Sequence, residues 1–239
     1  MKKILNYFIN FFFPKVCSCC KQNLPINYNG NICDNCLDKL PKNDGLKCSV
    51  CDVQIDSQKH CYDCSRNKNY FDLIKAPYKY EKSVKILIHN FKYSNRFFLA
   101  KDFSDMMVNV ILQNNWDKQT DIVIPVPLFI TRRFLRGYNQ AGLIAEEISK
   151  KINIKCNNKI LIRKFYTKAQ FLLNRKARQE NLQQSFYVNK KYIDKIKNKN
   201  ILLVDDIVTT CATVNSCAKV LKQAGAKKIF VISIARTGF

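Results

Sequence analysis

The stretch Ile201-Leu202-Leu203-Val204-Asp205-Asp206-Ile207-Val208-Thr209-Thr210-Cys211-Ala212-Thr213 decides the reading of this chain. Four consecutive aliphatic residues predict a strand buried on both faces, since a strand with one wet face would alternate. Two acids stand at its carboxyl end, followed by a hydroxyl-rich loop that opens a helix over Thr213 to Ala224, closed by Gly225. A helix start presents unpaired backbone N–H groups that attract phosphate, and Thr209, Thr210 and Thr213 add hydroxyl donors. Cys211 and Ala212 lie between them in the same loop. The adjacent carboxylates Asp205 and Asp206 cannot favour that phosphate directly; they suit sugar hydroxyls, a Mg²⁺ ion, or both. The arrangement therefore predicts a phosphorylated sugar, with its phosphate on the loop and its pentose on the acids. An ordinary helix start with Thr caps also places acids there, but the motif is longer than a cap requires.

Neighbouring segments supply the frame. Asp121-Ile122-Val123-Ile124-Pro125-Val126-Pro127 is a short apolar run stopped by prolines, hence a buried strand ending in a rigid loop. Gly137 to Ile152 has helical spacing through Ala141, Ile144, Ala145 and Ile148, and Lys228 to Ile234 is another strand. Strands alternating with helices predict a parallel sheet covered on both faces, with ligands bound beyond the carboxyl ends of its strands. His89 stands among apolar residues and is expected to pack in the core, as are Trp116, Met106 and Met107.

Toward the amino terminus, eight cysteines form four Cys-x-x-Cys pairs: Cys17/Cys20, Cys33/Cys36, Cys48/Cys51 and Cys61/Cys64. Gaps of 12, 11 and 9 residues between pairs suit two successive tetrahedral sites. A two-residue gap lets a tight turn aim two thiolates at one ion while backbone N–H groups stabilise the sulfur charge. Disulfides fit poorly with a chain showing no export signal, and iron–sulfur ligation normally uses other spacings. Two structural Zn²⁺ ions are the expectation. Four thiolates leave no open position for water, so such metals fold the region without catalysing. Asn27-Tyr28-Asn29-Gly30 predicts a turn before Cys33, and Ser65 to Asn69 reads as a linker. Cys156 and Cys217 are expected to be small buried residues.

The chain has 239 residues, 41 Lys+Arg against 18 Asp+Glu, and 47% hydrophobic residues. That composition is globular, which argues against disorder, and six glycines exclude a collagen-like repeat. No apolar run reaches the roughly 18–20 residues that cross a bilayer. Lys2-Lys3 followed by an apolar stretch to Phe13 superficially resembles a signal peptide. Asn6 and Asn10 on one helical face and no small-x-small cleavage site predict instead a short amphipathic helix and a cytoplasmic chain. Between Asp121 and Glu180 lie 13 Lys+Arg and four acids, with arginine used nearly as often as lysine. Arginine grips phosphate in a bidentate way, so this stretch reads as built for an anionic ligand.

Residues 201–213 resemble the 5-phosphoribosyl-1-diphosphate (PRPP) signature of type I phosphoribosyltransferases, with Cys211 where that loop usually carries glycine. Pro125-Val126-Pro127-Leu128, Arg132-Arg133, Arg136-Gly137-Tyr138-Asn139-Gln140-Ala141 and the set Arg163, Thr167, Gln170, Leu173, Arg178, Asn181 and Phe186 are similar to the signature of the ComF family. Tyr80 and Lys92-Tyr93 match weaker positions, and Asn95 stands where glycine is common. With the cysteine-rich ribbons, the resemblance spans almost the whole chain. It implies an α/β fold: a type I phosphoribosyltransferase-like parallel sheet over residues 71–239, preceded by a short helix and double zinc-ribbon module over residues 1–66. It further implies a role in natural competence, where incoming single-stranded DNA is handled in the cytoplasm, with PRPP or a nucleotide-like ligand, single-stranded DNA and a DNA-uptake helicase as candidate partners. Phosphoribosyl transfer with Mg²⁺ is the implied chemistry, with Arg132, Arg133, Arg136, Arg175 and Arg178 facing pyrophosphate or nucleic acid. No general base or acceptor-specificity segment stands out. A non-catalytic protein binding single-stranded DNA is the second expectation, with Phe134, Tyr138, Phe165 and Tyr166 interleaved among the basic residues.

Overall fold

A computed structural model describes residues 14–57, 59–163 and 185–238. In chain order the elements are α1 (Asp34–Asp38), α2 (Tyr62–Arg66), β1 (Leu73–Lys75), β2 (Tyr78–Lys79), α3 (Lys82–Tyr93), α4 (Leu99–Gln113), β3 (Ile122–Pro125), α5 (Ile130–Arg136), α6 (Gln140–Ile152), β4 (Leu161–Arg163), β5 (Phe186–Val188), a 3₁₀ turn (Lys190–Lys195), β6 (Asn200–Val208), α7 (Ala212–Gln223) and β7 (Lys228–Arg236). The main sheet is parallel, in the order β1-β7-β6-β3, with β2 continuing β1 along the same edge of β7. β4 and β5 make a separate antiparallel pair.

Successive residues of a strand face opposite sides, and the core divides accordingly. Leu202, Val204, Phe230 and Ile232 face one layer with α3, α4 and α6, where Trp116 stacks on Phe230 at 4.9 Å. Ile201, Leu203, Ile229 and Val231 face the other, against Val214, Cys217 and Leu221 of α7. Each ribbon joins one of these layers. Cys17, Leu24, Ile32 and Leu40 of the first belong to the α3/α4/α6 side, and Cys48, Cys51, Val53 and Cys61 of the second to the α7 side. The linker is also tied down, because Asn215 of α7 accepts a hydrogen bond from Tyr70 N at 2.7 Å.

Several expectations shift in detail. β6 does not end at Val204 but continues to Val208, because its ladder with β7 runs on to Arg236. α6 begins at Gln140, not Gly137, because Gly137 takes φ +76 in the turn after α5. The turn expected at Asn27–Gly30 falls earlier, where Tyr28 N donates to Pro25 O at 2.9 Å. His89 is exposed, contrary to its expected core position: it lies one residue past the buried face of α3 and packs on Tyr93, ring centroids 5.0 Å apart. Trp116, Met106, Met107 and Cys217 are buried as expected, whereas Cys156 is half-buried. The helix expected over Met1 to Phe13 lies outside the described residues, and no described helix is long and apolar enough to cross a membrane.

Candidate functional site

The carboxyl end of β6 carries both acids within the strand. Asp205 pairs with Ser233 in the ladder, and its Oδ1 accepts from Asp206 N at 2.8 Å. Lys92 of α3 reaches across to Asp206 Oδ2 at 2.9 Å. Burial, reinforced by the neighbouring Asp206 charge, pushes the Asp205 carboxyl up to about 8, against the opposing pull of Asp206 N–H, Lys92 and Arg163. Asp205 therefore holds its proton at neutral pH, as suits a buried carboxyl that meets sugar hydroxyls when a ligand arrives.

Beyond Val208 the chain turns over Thr209–Cys211 and enters α7. Asp205, Val208, Thr209, Cys211, Ala212 and Thr213 line one small hollow. Thr209 and Thr210 are exposed, and no side chain caps α7 at its N-cap Cys211. Cys211 adopts φ 61, ψ −3, the left-handed conformation in which glycine is at ease and a β-carbon is strained. Asn95, the other residue at a glycine-like position, likewise takes φ 50. A wider cleft of about 880 Å³ opens elsewhere, between the first ribbon and α4, among walls that mix acids and lysines such as Asp44, Lys47, Lys75 and Asp105.

Of the arginines, Arg136 ends α5 and is engaged: it donates to Tyr93 OH at 2.8 Å and Gln140 Oε1 at 3.2 Å, and lies 4.8 Å over the Tyr93 ring. Arg132 and Arg133 are on the same helix. Arg175, Arg178, Phe165 and Tyr166 lie outside the described residues. Phe134 is exposed, whereas Tyr138 is half-buried, donates to Phe91 O and packs on Phe91. Sequence reasoning assigned no site role to Lys92, Arg163 or Arg236. Arg236 offered the plainest signal, a basic residue ending an otherwise apolar strand.

The eight cysteines gather into two tetrads, Cys17/Cys20/Cys33/Cys36 and Cys48/Cys51/Cys61/Cys64, with the sulfurs of each within 4.8 Å of one another and no disulfide among them. Thiolates at roughly 2.3 Å from a common ion sit ~3.8 Å apart. The Cys20–Cys33 and Cys51–Cys61 sulfur separations, 3.8 and 3.6 Å, match. Both first knuckles share one construction. Lys21 N donates to Cys17 O and Asp52 N to Cys48 O, each at 3.0 Å, and the residue after the second cysteine is left-handed, φ 67 at Lys21 and φ 60 at Asp52. Burial raises the Cys17 thiol, but the amides of Cys33, Cys20 and Cys19 outweigh it and bring it down to about 6, as a metal ligand needs. Each site offers four soft sulfurs gathered around one point, so both tetrads fit structural Zn²⁺.

Comparison with known proteins agrees with this division. A phosphoribosyl transferase domain family matches residues 157–238, and a double zinc ribbon domain family matches residues 8–65. Competence protein F of Haemophilus influenzae is 30% identical over 229 residues, covering 94% of this chain and 98% of its own length. The DNA utilization protein YhgH of Escherichia coli is 25% identical over 94% of this chain and 98% of its own. Competence protein ComFC of Bacillus subtilis is 25% identical over 81% of this chain and 79% of its own. With ribbons, parallel sheet and near full-length similarity in the same order, the chain belongs to the ComF family of competence proteins.

Proposed function

We propose that this protein binds PRPP or a closely related phosphosugar with Mg²⁺ at the end of β6, and that it serves DNA uptake or DNA utilization in the cytoplasm. The observation that carries the reading is the placement of Asp205, its carboxyl raised by burial, and an uncapped helix start bearing threonines around one hollow, with Asp206 next to it in the strand. The 5-phosphate would rest on the N–H groups and hydroxyls of Thr209–Thr213, and Asp205 and Asp206 would take the ribose hydroxyls. Mg²⁺ would neutralise the pyrophosphate as it leaves, and catalysis would come from holding both phosphate ends while positive charge develops at the anomeric carbon. Names of the relatives, competence and DNA utilization, support the cellular role.

Calorimetry of zinc-loaded protein tests it. Saturable PRPP binding that needs Mg²⁺ is expected, and a double Asp205→Asn, Asp206→Asn variant should lose it. Absence of binding by folded protein rejects the ligand, and undiminished binding by the variant rejects the site.

A second reading rests on its own observation. Tyr93, Phe97, Phe98 and Phe134 are exposed, with Arg136 over Tyr93 and Arg96 5.9 Å from the Phe98 ring centroid. Exposed rings beside guanidinium groups fit stacking on single-stranded DNA in a chain of net charge +23. Single-strand affinity should fall steeply with salt and should weaken when Arg132, Arg133 and Arg136 are neutralised; salt-independent or absent binding removes this reading.

A further inference from the structure

Arg236, the last residue of β7, is 3% exposed. Among the described residues it forms no ion pair with a carboxylate, and its hydrogen bonds end on carbonyls and sulfurs. Nε donates to Cys51 O at 3.0 Å, and Nη1 donates to the carbonyls of Val208 at 3.2 Å, Thr209, and Thr237 at 3.3 Å. Nη2 points at two sulfurs, Cys211 Sγ at 3.3 Å and Cys51 Sγ at 3.8 Å. One guanidinium therefore holds the second tetrad with one edge and the start of the 208–212 loop with the other.

A buried cation without a counter-charge is costly. A metal held by four thiolates removes that difficulty, since four thiolate charges exceed those of one divalent ion and leave a negative cluster beside the guanidinium. Among the described residues no arginine hydrogen-bonds a sulfur of the first tetrad, where Cys17 Sγ accepts from the backbone amides of Cys19 and Cys33. Meanwhile the loop needs an external hold, because Cys211 sits in a left-handed conformation that a β-carbon disfavours. The contact of its thiol with Arg236, which also reaches Cys51, supplies that hold.

We propose that Arg236 and Cys211 join the second cysteine tetrad to the 208–212 loop as one mechanical unit. A metal on Cys48, Cys51, Cys61 and Cys64 then positions the loop, and a ligand on the loop tightens the metal in return. Arg236 is a positioning residue in this scheme, acting through the loop carbonyls, and Cys211 is the contact that replaces glycine's freedom with a tether. Reciprocity follows from linkage: whatever factor the metal contributes to ligand affinity, the ligand returns to metal affinity. The ligand half rests on the proposed phosphosugar reading, whereas the metal half does not.

The test uses the full chain loaded with Co²⁺, whose thiolate-to-cobalt absorption reports occupancy, and a competing chelator that draws the ion out. In the absence of ligand, Cys211→Ala and Arg236→Lys should each weaken one tetrad by about tenfold and leave the other at wild-type affinity, the scale seen when a ligand's outer partner is removed. Hydrogen exchange at the amides of 208–213 should speed up in both variants. Adding Mg²⁺ and PRPP should slow cobalt release from that same tetrad in the wild type but not in Cys211→Ala. Should Arg236→Lys not fold, Cys211→Ala carries the comparison alone. Wild-type cobalt affinity at both tetrads in Cys211→Ala overturns the coupling. Variant effects that persist while PRPP changes nothing support the coupling and overturn the phosphosugar reading instead.

Discussion

Asp205→Asn should make the ligand-free protein more stable at neutral pH, by an amount that grows with pH. The Asp205 carboxyl is raised from an ordinary 3.8 to about 8 by burial and by Asp206 beside it. Below about pH 4 the group is neutral in both folded and unfolded chains and contributes no pH dependence. As pH rises through 3.8 the unfolded chain releases this proton while native Asp205 keeps it, so native stability falls by ~1.4 kcal/mol per pH unit. The loss levels off near pH 8, where Asp205 also ionises in the native protein. Carried from 3.8 to 7, the penalty is a few kcal/mol, on the order of 4 as an upper figure. Asparagine keeps an oxygen able to accept from Asp206 N and cannot ionise. Urea unfolding of zinc-loaded wild type and variant at pH 6, 7 and 8 should therefore show their difference widening by about 1.4 kcal/mol from pH 6 to 7 and by less from 7 to 8. Parallel pH profiles for the two proteins would refute the reasoning. A carboxylate that destabilises the empty fold makes sense where ligand binding, not folding, retains it.

Three further outcomes follow from the packing. Native mass spectrometry should find two zinc ions per chain, and chelation should lower the urea midpoint because Cys17, Cys48, Cys51 and Cys61 lie within the two core layers; a midpoint indifferent to chelator contradicts the structural assignment. Asp52→Ala should cost about 3–5 kcal/mol in urea unfolding. Its carboxylate, 1% exposed, accepts from Lys75 at 2.9 Å, Asn43 at 3.0 Å and Ala76 N at 3.1 Å, and all three would be left without that acceptor. Trp116→Ala, emptying a site 2% exposed and stacked on Phe230, should cost about 3–5 kcal/mol; a loss under about 1 would mean that the core closes over the gap.

Much of this architecture can be read from local pattern. The aliphatic runs at Ile122 and Ile201 become the adjacent strands β3 and β6 because only a doubly covered parallel sheet buries such residues on both faces. Cysteine spacing specified both tetrads because a two-residue gap closes a turn whichever tertiary fold surrounds it. What escaped the sequence was long-range. Lys92 meets Asp206 across more than a hundred residues, and Arg236 meets Cys51 across 185, contacts fixed by sheet order and not by neighbours in the chain. His89 misled for a related reason. A short apolar run on a helix does not reveal which of its residues turns outward until the partner face is known, and there Leu87, Ile88 and Phe91 turn inward. Cys211 shows the reverse case: a departure from glycine at a left-handed position becomes intelligible once Arg236, which also reaches Cys51 of the second ribbon, is seen to touch it.

The measurement closest to the central claim is a crystal of zinc-loaded protein grown with PRPP and Mg²⁺. The account predicts a 5-phosphate seated on the amides of residues 209–213 with the ribose hydroxyls within hydrogen-bonding distance of Asp205 and Asp206. Density for the ligand anywhere else, or a loop that stays empty at saturating PRPP while Asp206 remains paired to Lys92, would contradict it.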